Sequence, residues 1–321
     1  MGFPNVSDII ATTLEKRRGT VADNVSKNNA GFYKLKKKGN STTVDGGRLI
    51  YEELSFAGNG NGGWYNGYDI LPVGPADVLS AAEYDWKQYA VPVVASGREQ
   101  RMNSGRPAII KLIAARIKVA ESTMANDMAA GLWSDGTGAG GKQLTGLVAA
   151  VPVDPTTGTY GGINRANWTF WRSYKLATGH VPDKATIQAD MNTAWVNLVR
   201  GTDHPDIILA DNNSYAQYLA SLQAIQRFTD PDLAKLGFTT VKYQTGDVVL
   251  DGGIGGYATL NTMLFLNTDF LFLRTHEDAN FEPLNPETRV PWNQDASARV
   301  LGWMGNLTCS GAQFQGRVTF A

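Results

Sequence analysis

Arg48-Leu49-Ile50-Tyr51-Glu52-Glu53-Leu54-Ser55-Phe56, then Ala57-Gly58-Asn59-Gly60-Asn61-Gly62-Gly63, then Trp64-Tyr65-Asn66-Gly67-Tyr68-Asp69-Ile70-Leu71 is the stretch on which the reading of this chain turns. Two strand-like arms flank a tip of glycine and asparagine, a pattern that predicts a long β-hairpin projection. Two isolated strands are marginal in water and leave unpaired edges, so the projection needs another surface to cover it. A second copy of the same protein can supply that surface. Ile50, Leu54, Phe56, Trp64, Tyr65 and Tyr68 are then the candidate interface residues.

Downstream, Pro72-Val73-Gly74-Pro75 turns the chain out of the projection, and 77–83 reads as a short helix. Tyr89-Ala90-Val91-Pro92-Val93-Val94 suits a buried strand whose proline requires an edge or a bulge. A long helix opens near Ser104 or Gly105, with Pro107 in the first turn, where its missing N–H costs nothing. Ile109, Leu112, Ile113, Ile117, Ala120, Met124, Met128 and Leu132 form one continuous apolar stripe at helical spacing. Lys111, Arg116, Lys118, Glu121 and Asp127 lie opposite, and Asp135-Gly136 ends the element. At ~1.5 Å rise per residue it is roughly 39 Å long, about twice an ordinary globular helix. Such a helix serves as a strut.

Upstream, residues 1–47 are polar and asparagine-rich, with one amphipathic candidate near 6–14, and read as an extended arm ordered by a partner. The first 40 residues carry Lys16, Arg17, Arg18, Lys27, Lys34, Lys36, Lys37 and Lys38 against Asp8, Glu15 and Asp23. Lys34, Lys36, Lys37 and Lys38 are the candidate basic contacts, either to nucleic-acid phosphates, which needs only charge, or to an acidic neighbour. With only Phe32 and Tyr33 interleaved, base stacking is not expected.

The rest alternates helices and strands. Helices are expected over 165–178 and 184–200, and a strand over 144–153. Asp206-Ile207-Ile208-Leu209-Ala210 is an apolar strand leading into a helix that Asp211 or Asn212 can cap. Further strands are expected at 239–243, 247–250, 263–266, 270–273, 298–308 and 314–320. Gln244-Thr245-Gly246 and Asn267-Thr268-Asp269 read as hairpin connectors. The class is α+β.

Composition narrows the function. The chain has 321 residues, 43% of them hydrophobic, enough for a sizeable core, and a formal charge of −1 that excludes a uniform polycation. One cysteine, Cys309, excludes an intrachain disulfide. No apolar run approaches a membrane span and no secretory signal pattern opens the chain, so an intracellular, reduced product is expected.

Catalytic patterns are lacking. Gly136-Thr137-Gly138-Ala139-Gly140-Gly141-Lys142-Gln143 approaches a phosphate-binding loop, but Gln143 stands where a Mg²⁺-holding Ser or Thr is needed. His180, His204 and His276 follow no metal-ligand spacing. Cys309 sits in an apolar strand as a core residue, and no G-x-S-x-G elbow occurs. Neither an enzyme activity, a cofactor nor a metal is expected.

The arm, the projection, the long helix, the α/β region and the two closing strands resemble, in order and over essentially the whole chain, the tailed-phage major capsid proteins of the Hong Kong 97 fold. Ala82-Glu83-Tyr84-Asp85-Trp86-Lys87-Gln88, Gly161-Gly162-Ile163-Asn164-Arg165-Ala166-Asn167-Trp168 and Trp303-Met304-Gly305-Asn306-Leu307-Thr308-Cys309 are among the segments that carry the resemblance. It implies an N-terminal arm at 1–47, an E-loop at 48–75, a peripheral domain at 76–139 and 276–309 with the long helix as its spine, and an axial domain at 140–275 and 310–321. It also implies self-assembly through pentamers and hexamers into an icosahedral shell around double-stranded DNA, within a virion built in the host cytoplasm. A scaffolding protein, a portal and a decoration protein are the implied partners, and no membrane is involved. Some relatives weld their shells with a lysine–asparagine isopeptide bond. Asn293 is a loose acceptor candidate, but 48–75 holds no lysine, so a non-covalent shell is expected. An encapsulin-like nanocompartment is the alternative within this fold. A phage accessory glycan-binding protein, using Trp64, Trp168, Trp171 and Trp195, is the alternative outside it.

Overall fold

The computed structural model describes residues 30–71, 73–98, 106–222, 240–252, 256–283 and 295–321. Asn293 and the amphipathic candidate at 6–14 lie outside them. The described chain opens with helix α1 (Ala30–Lys37) and strand β1 (Ser41–Val44). Strands β2 (Ile50–Ser55), β3 (Leu79–Tyr84) and β4 (Lys87–Ser96) lead to the long helix α2 (Arg106–Leu132). A minor ladder of β5 (Thr159–Tyr160) and β6 (Ile163–Asn164) precedes β7 (Tyr174–Ala177). Helix α3 (Ile187–Leu198), β8 (Ile207–Ala210) and helix α4 (Asn212–Ser221) follow. The chain continues through β9 (Thr240–Tyr243), β10 (Gly246–Leu250), β11 (Thr262–Leu266), β12 (Leu271–Pro283), β13 (Ala296–Cys309) and β14 (Gly316–Thr319).

Two sheets organise these elements. One has the order β1-β12-β13-β4, the other β7-β14-β11-β8-β10-β9. In the six-stranded sheet, successive residues of β8 face opposite ways. Ile207 and Leu209 join a core with Val249, Leu264 and the spine residues Met124 and Met128. Ile208 and Ala210 join a second core with Met191, Ala194 and Tyr218 from α3 and α4. Covering on both faces explains the unbroken apolar runs of these strands. Asp211 caps α4 as expected, its carboxylate accepting from the N–H groups of Asn213 and Ser214. In the spine, Ile117, Ala120, Met124, Met128 and Leu132 are buried along the expected stripe. Glu121 is buried too, at 3% exposure, so the covered face is wider than the stripe.

Several local expectations are corrected. The partner of β2 is β3, in the register Ile50↔Tyr84 to Ser55↔Leu79, not the 64–71 segment. That segment is irregular: the Asp69 N–H bonds the Asn66 carbonyl at 2.8 Å and turns the chain back. The helix expected at 77–83 is therefore a strand, since pairing along six residues outweighs the helical preference of Ala81, Ala82 and Glu83. The strand expected at 144–153 contains a single helical turn, Leu147–Ala150. It lies behind Gly146, whose missing Cβ lets the chain touch the carbonyls of Gly131 and Leu132 at the spine's end. The helix expected at 165–178 is a 3₁₀ turn, Thr169–Trp171, followed by β7. Asn267-Thr268-Asp269 makes no hairpin: it carries the chain from β11 in one sheet to β12 in the other. Gln244 at φ 53° does close a hairpin, between β9 and β10. Pro92 lies in β4, an edge strand as expected.

Candidate assembly interface

The alternation of β2 decides the root of the projection. Ile50, Glu52 and Leu54 point inward, and Ile50 and Leu54, each 3% exposed, belong to the chain's own core. The structure thus takes these two away from any interface on another subunit. Between them, Glu52 receives Arg274 of β12 in a two-pronged pair, Nε–Oε1 at 2.6 Å and Nη2–Oε2 at 2.9 Å. The Thr308 hydroxyl donates to Glu52 Oε1 at 2.7 Å, and the Arg274 guanidinium lies 4.5 Å from the Phe272 ring centre. Opposite Glu52 in the ladder stands Ala82, whose small side chain leaves the pair its space. A charge pair this enclosed holds when both partners are present and bonded, and is costly to break. Sequence reading missed it, although a glutamate at an inward position of Ile-x-Glu-x-Leu is a signal of a buried partner.

One step outward, Phe56 stacks on Phe170 at 5.6 Å and meets Trp168 edge-on at 5.9 Å. Asp77, Leu79, Ser80 and Ile163 complete a cleft of about 200 Å³ here. Beyond it the cover ends. Trp64 and Tyr68 are fully exposed at 107% and 105%, and Tyr65, Ile70, Leu71 and Val73 are exposed as well. The tip has its own fastening, since the Asn61 side-chain amide donates to the Gly74 carbonyl at 2.6 Å. Trp64, Tyr65 and Tyr68 therefore share one fastened, uncovered loop, Phe56 is half-buried at its base, and Ile50 and Leu54 lie beneath.

The basic segment is a helix where it was expected to be extended. Phe32 and Leu35 of α1 are buried in the core. Lys34 pairs with Asp247 at 2.8 Å, and Lys242 reaches the same carboxylate at 3.0 Å. Lys38 pairs with Asp269 at 2.7 Å and Asp206 at 3.0 Å. Burial works to lower the pKa of Lys38, but the bonds and charges of Asp269 and Asp206 outweigh it and raise the pKa. Lys34 and Lys38 thus bind acidic residues of their own chain, while Lys36 and Lys37 occupy exposed positions.

The chemical motifs fall into structural places. The glycine loop folds into one turn, Gly138–Gly141, with no helix on its C-terminal side to hold a phosphate. His180 lies 3.6 Å from Asp190, His204 stacks on Trp195, and His276 meets Trp86 edge-on. Among the described residues no group of His, Cys, Asp and Glu could hold a metal ion. Burial pushes the Cys309 thiol up to about 12. Trp195 packs between His204 and Tyr243. No helix among the described residues is long and apolar enough to cross a membrane. An unforeseen buried acid is Asp251, which accepts from Trp133 Nε1 at 2.5 Å at the spine's end. Its burial raises the pKa to about 6, against the lowering effect of the Trp133 bond.

No protein-family model and no curated protein matches the sequence. Solved structures do. The cyanophage A-1(L) capsid asymmetric unit matches with a TM-score of 0.66 at 17% identity, over 88% of this chain and 90% of that one. The capsid of a native GTA particle matches at 0.59 and 13% identity, over 89% of each chain. A virus-like particle from Pyrococcus furiosus matches at 0.51 and 10% identity, over 95% of this chain and 98% of that one. At these identities the likeness speaks to architecture: the chain has the α+β fold of the Hong Kong 97-type capsid proteins.

Proposed function

We propose that this chain is the major shell subunit of a tailed-phage head, closing on itself through pentamers and hexamers around double-stranded DNA. The observation that carries the reading is the projection. A loop with Trp64 and Tyr68 fully exposed is held out on a root locked by a buried ion pair. Exposed apolar patches of that kind mark interaction surfaces, and closed symmetry turns one repeated contact into a finite shell. The shared fold supports the same reading. The role is structural, and it places the protein in the virion, assembled in the host cytoplasm with a scaffolding protein, a portal and a decoration protein as partners. The four-stranded sheet and α2 fit a peripheral domain, and the six-stranded sheet an axial domain. The change of sheet at Leu271 favours that residue as the boundary over 276. Lys36 and Lys37 are the basic residues of α1 best placed to reach DNA or a neighbour.

Size-exclusion chromatography and negative-stain electron microscopy, on the protein alone and co-expressed with its neighbouring genes, test the proposal. Closed shells, tubes or rings of five and six support it, and a clean monomer under both conditions sinks it. The likeness to the Pyrococcus furiosus particle keeps a nanocompartment as the second reading. Nuclease-protected DNA inside the particles favours the phage head, and a packaged protein with no DNA favours the compartment.

A further inference from the structure

A cleft of about 500 Å³ opens between β4 and the C-terminal half of α2, with the 139–144 segment as its third side. Tyr89, Met128, Leu144 and Trp303 line it, and Lys87 and Lys142 stand at its edge. Trp303 is 2% exposed, and its indole N–H has no acceptor. Asp127, the carboxylate in the wall, is bonded by the Tyr89 hydroxyl. Lys87 Nζ bonds only the Gly141 carbonyl, at 2.6 Å, and Lys142 has no ion-pair partner among the described residues. The cleft is therefore apolar inside and positive at the rim.

The projection has the opposite character. Residues 57–78 contain Asp69 and Asp77 but no Lys, Arg or His. Trp64, Tyr68, Ile70 and Val73 are each more than nine-tenths exposed, so the loop does not fill a cleft of its own chain. The geometry points to a specific docking: the cleft of one copy receives the aromatic loop of a second copy, with Asp69 set beside Lys87 and Lys142. Apolar surface drives the contact, while the opposite charges select the register and disfavour other seats. This inference rests on the shell reading above and names the surface that receives the projection.

The test uses assembled particles made from a mixture of ¹⁵N-labelled and unlabelled wild-type chains. A carbodiimide condenses a carboxylate with an adjacent amine into an amide with net loss of water, so it joins only groups already in contact. Peptide mass spectrometry is expected to find Asp69 joined to Lys142 or Lys87 in mixed-isotope pairs. Particles in which Asp69 is joined elsewhere, to neither lysine, or only within single-isotope pairs overturn the inference and leave the shell reading standing. Absence of any particle overturns both. A charge swap gives an independent readout. Lys87→Glu with Lys142→Glu is expected to cut particle yield at least tenfold without shifting the thermal midpoint of the free chain, and adding Asp69→Lys is expected to restore it. Unchanged yield in the double variant, or failure of the swap to restore it, counts against the docking.

Discussion

The root and the tip of the projection are built on opposite principles, though only a few residues separate them. At the root, Ile50, Glu52 and Leu54 are each 5% exposed or less, and every oxygen of Glu52 is bonded to Arg274 or Thr308. At the tip, Trp64 and Tyr68 touch almost nothing. The root puts its free energy into the fold of one chain, and the tip holds its own in reserve for another. A rigid base carrying an adhesive loop is how a subunit presents the same contact to each neighbour, so substitutions in the two regions should fail in different assays.

The largest effect on the isolated chain is expected at Glu52. Glu52→Ala leaves the buried Arg274 guanidinium without its partner, which costs about 3–5 kcal/mol. Urea unfolding followed by tryptophan fluorescence should show the midpoint falling accordingly. A midpoint unchanged within error would mean that the root is not locked by this pair, and the contrast with the tip would collapse. Glu52→Met combined with Arg274→Met should recover most of the loss, because no unpaired charge then remains.

Next comes Asp251, whose effect depends on pH. Its folded pKa lies near 6, above the ordinary carboxylate value of 3.8. Its contribution is therefore fully present below about pH 4 and lost as the pH rises through about 6, where burial penalises the charged form. A two-unit shift corresponds to roughly 3 kcal/mol as an upper bound. Asp251→Asn keeps an oxygen for Trp133 Nε1 and cannot ionise. It should match wild type near pH 4 and exceed it in thermal midpoint above pH 6. A pH-independent difference would remove the titration from the account.

Lys34→Ala should cost less, about 1 kcal/mol, because Lys242 still reaches Asp247 and the exposed side of the pair is screened. Its expected signature is faster amide exchange in α1 with β8 and β10 unchanged. Protection lost throughout the six-stranded sheet would show that α1 is integral to that sheet's stability rather than a strap laid against it.

These expectations bear on what the sequence could disclose. The spine helix was legible because its stripe at Ile117, Ala120, Met124, Met128 and Leu132 is a local signal that one covered face preserves. The runs at Ile207–Ala210 and Thr262–Leu266 were legible because both faces of their sheet are buried. The second arm of the projection was not. Leu79–Tyr84 has helical composition, and it becomes a strand only through pairing with Ile50–Ser55, a contact between segments far apart in the chain. β12 runs well past the expected 270–273 because register shifts near Thr275 and Asn280 break its alternation. Phe281, at φ 60°, is turned into the core at the second of them. Of the candidate site, the exposed aromatics could be read from a glycine-rich loop context. The receiving cleft could not, since β4, α2, the 139–144 segment and β13 meet there only in the folded chain.

The smallest effect on stability, and the one that tests the contrast most sharply, belongs to the tip. Tyr68→Ala and Trp64→Ala remove side chains that bury nothing in the isolated chain, so each should change unfolding free energy by less than about 0.5 kcal/mol. Each nevertheless deletes an aromatic that would bury ~150–250 Å² against a neighbour, repeated at every equivalent contact of a closed shell. Light scattering of assembly reactions should therefore show particle formation reduced or abolished, while circular dichroism and urea midpoints match wild type. A tip variant that assembles normally would mean that the exposed aromatics do not hold the shell together. A tip variant that also unfolds early would mean that the loop packs on its own chain in solution, and the division between root and tip would have to be redrawn.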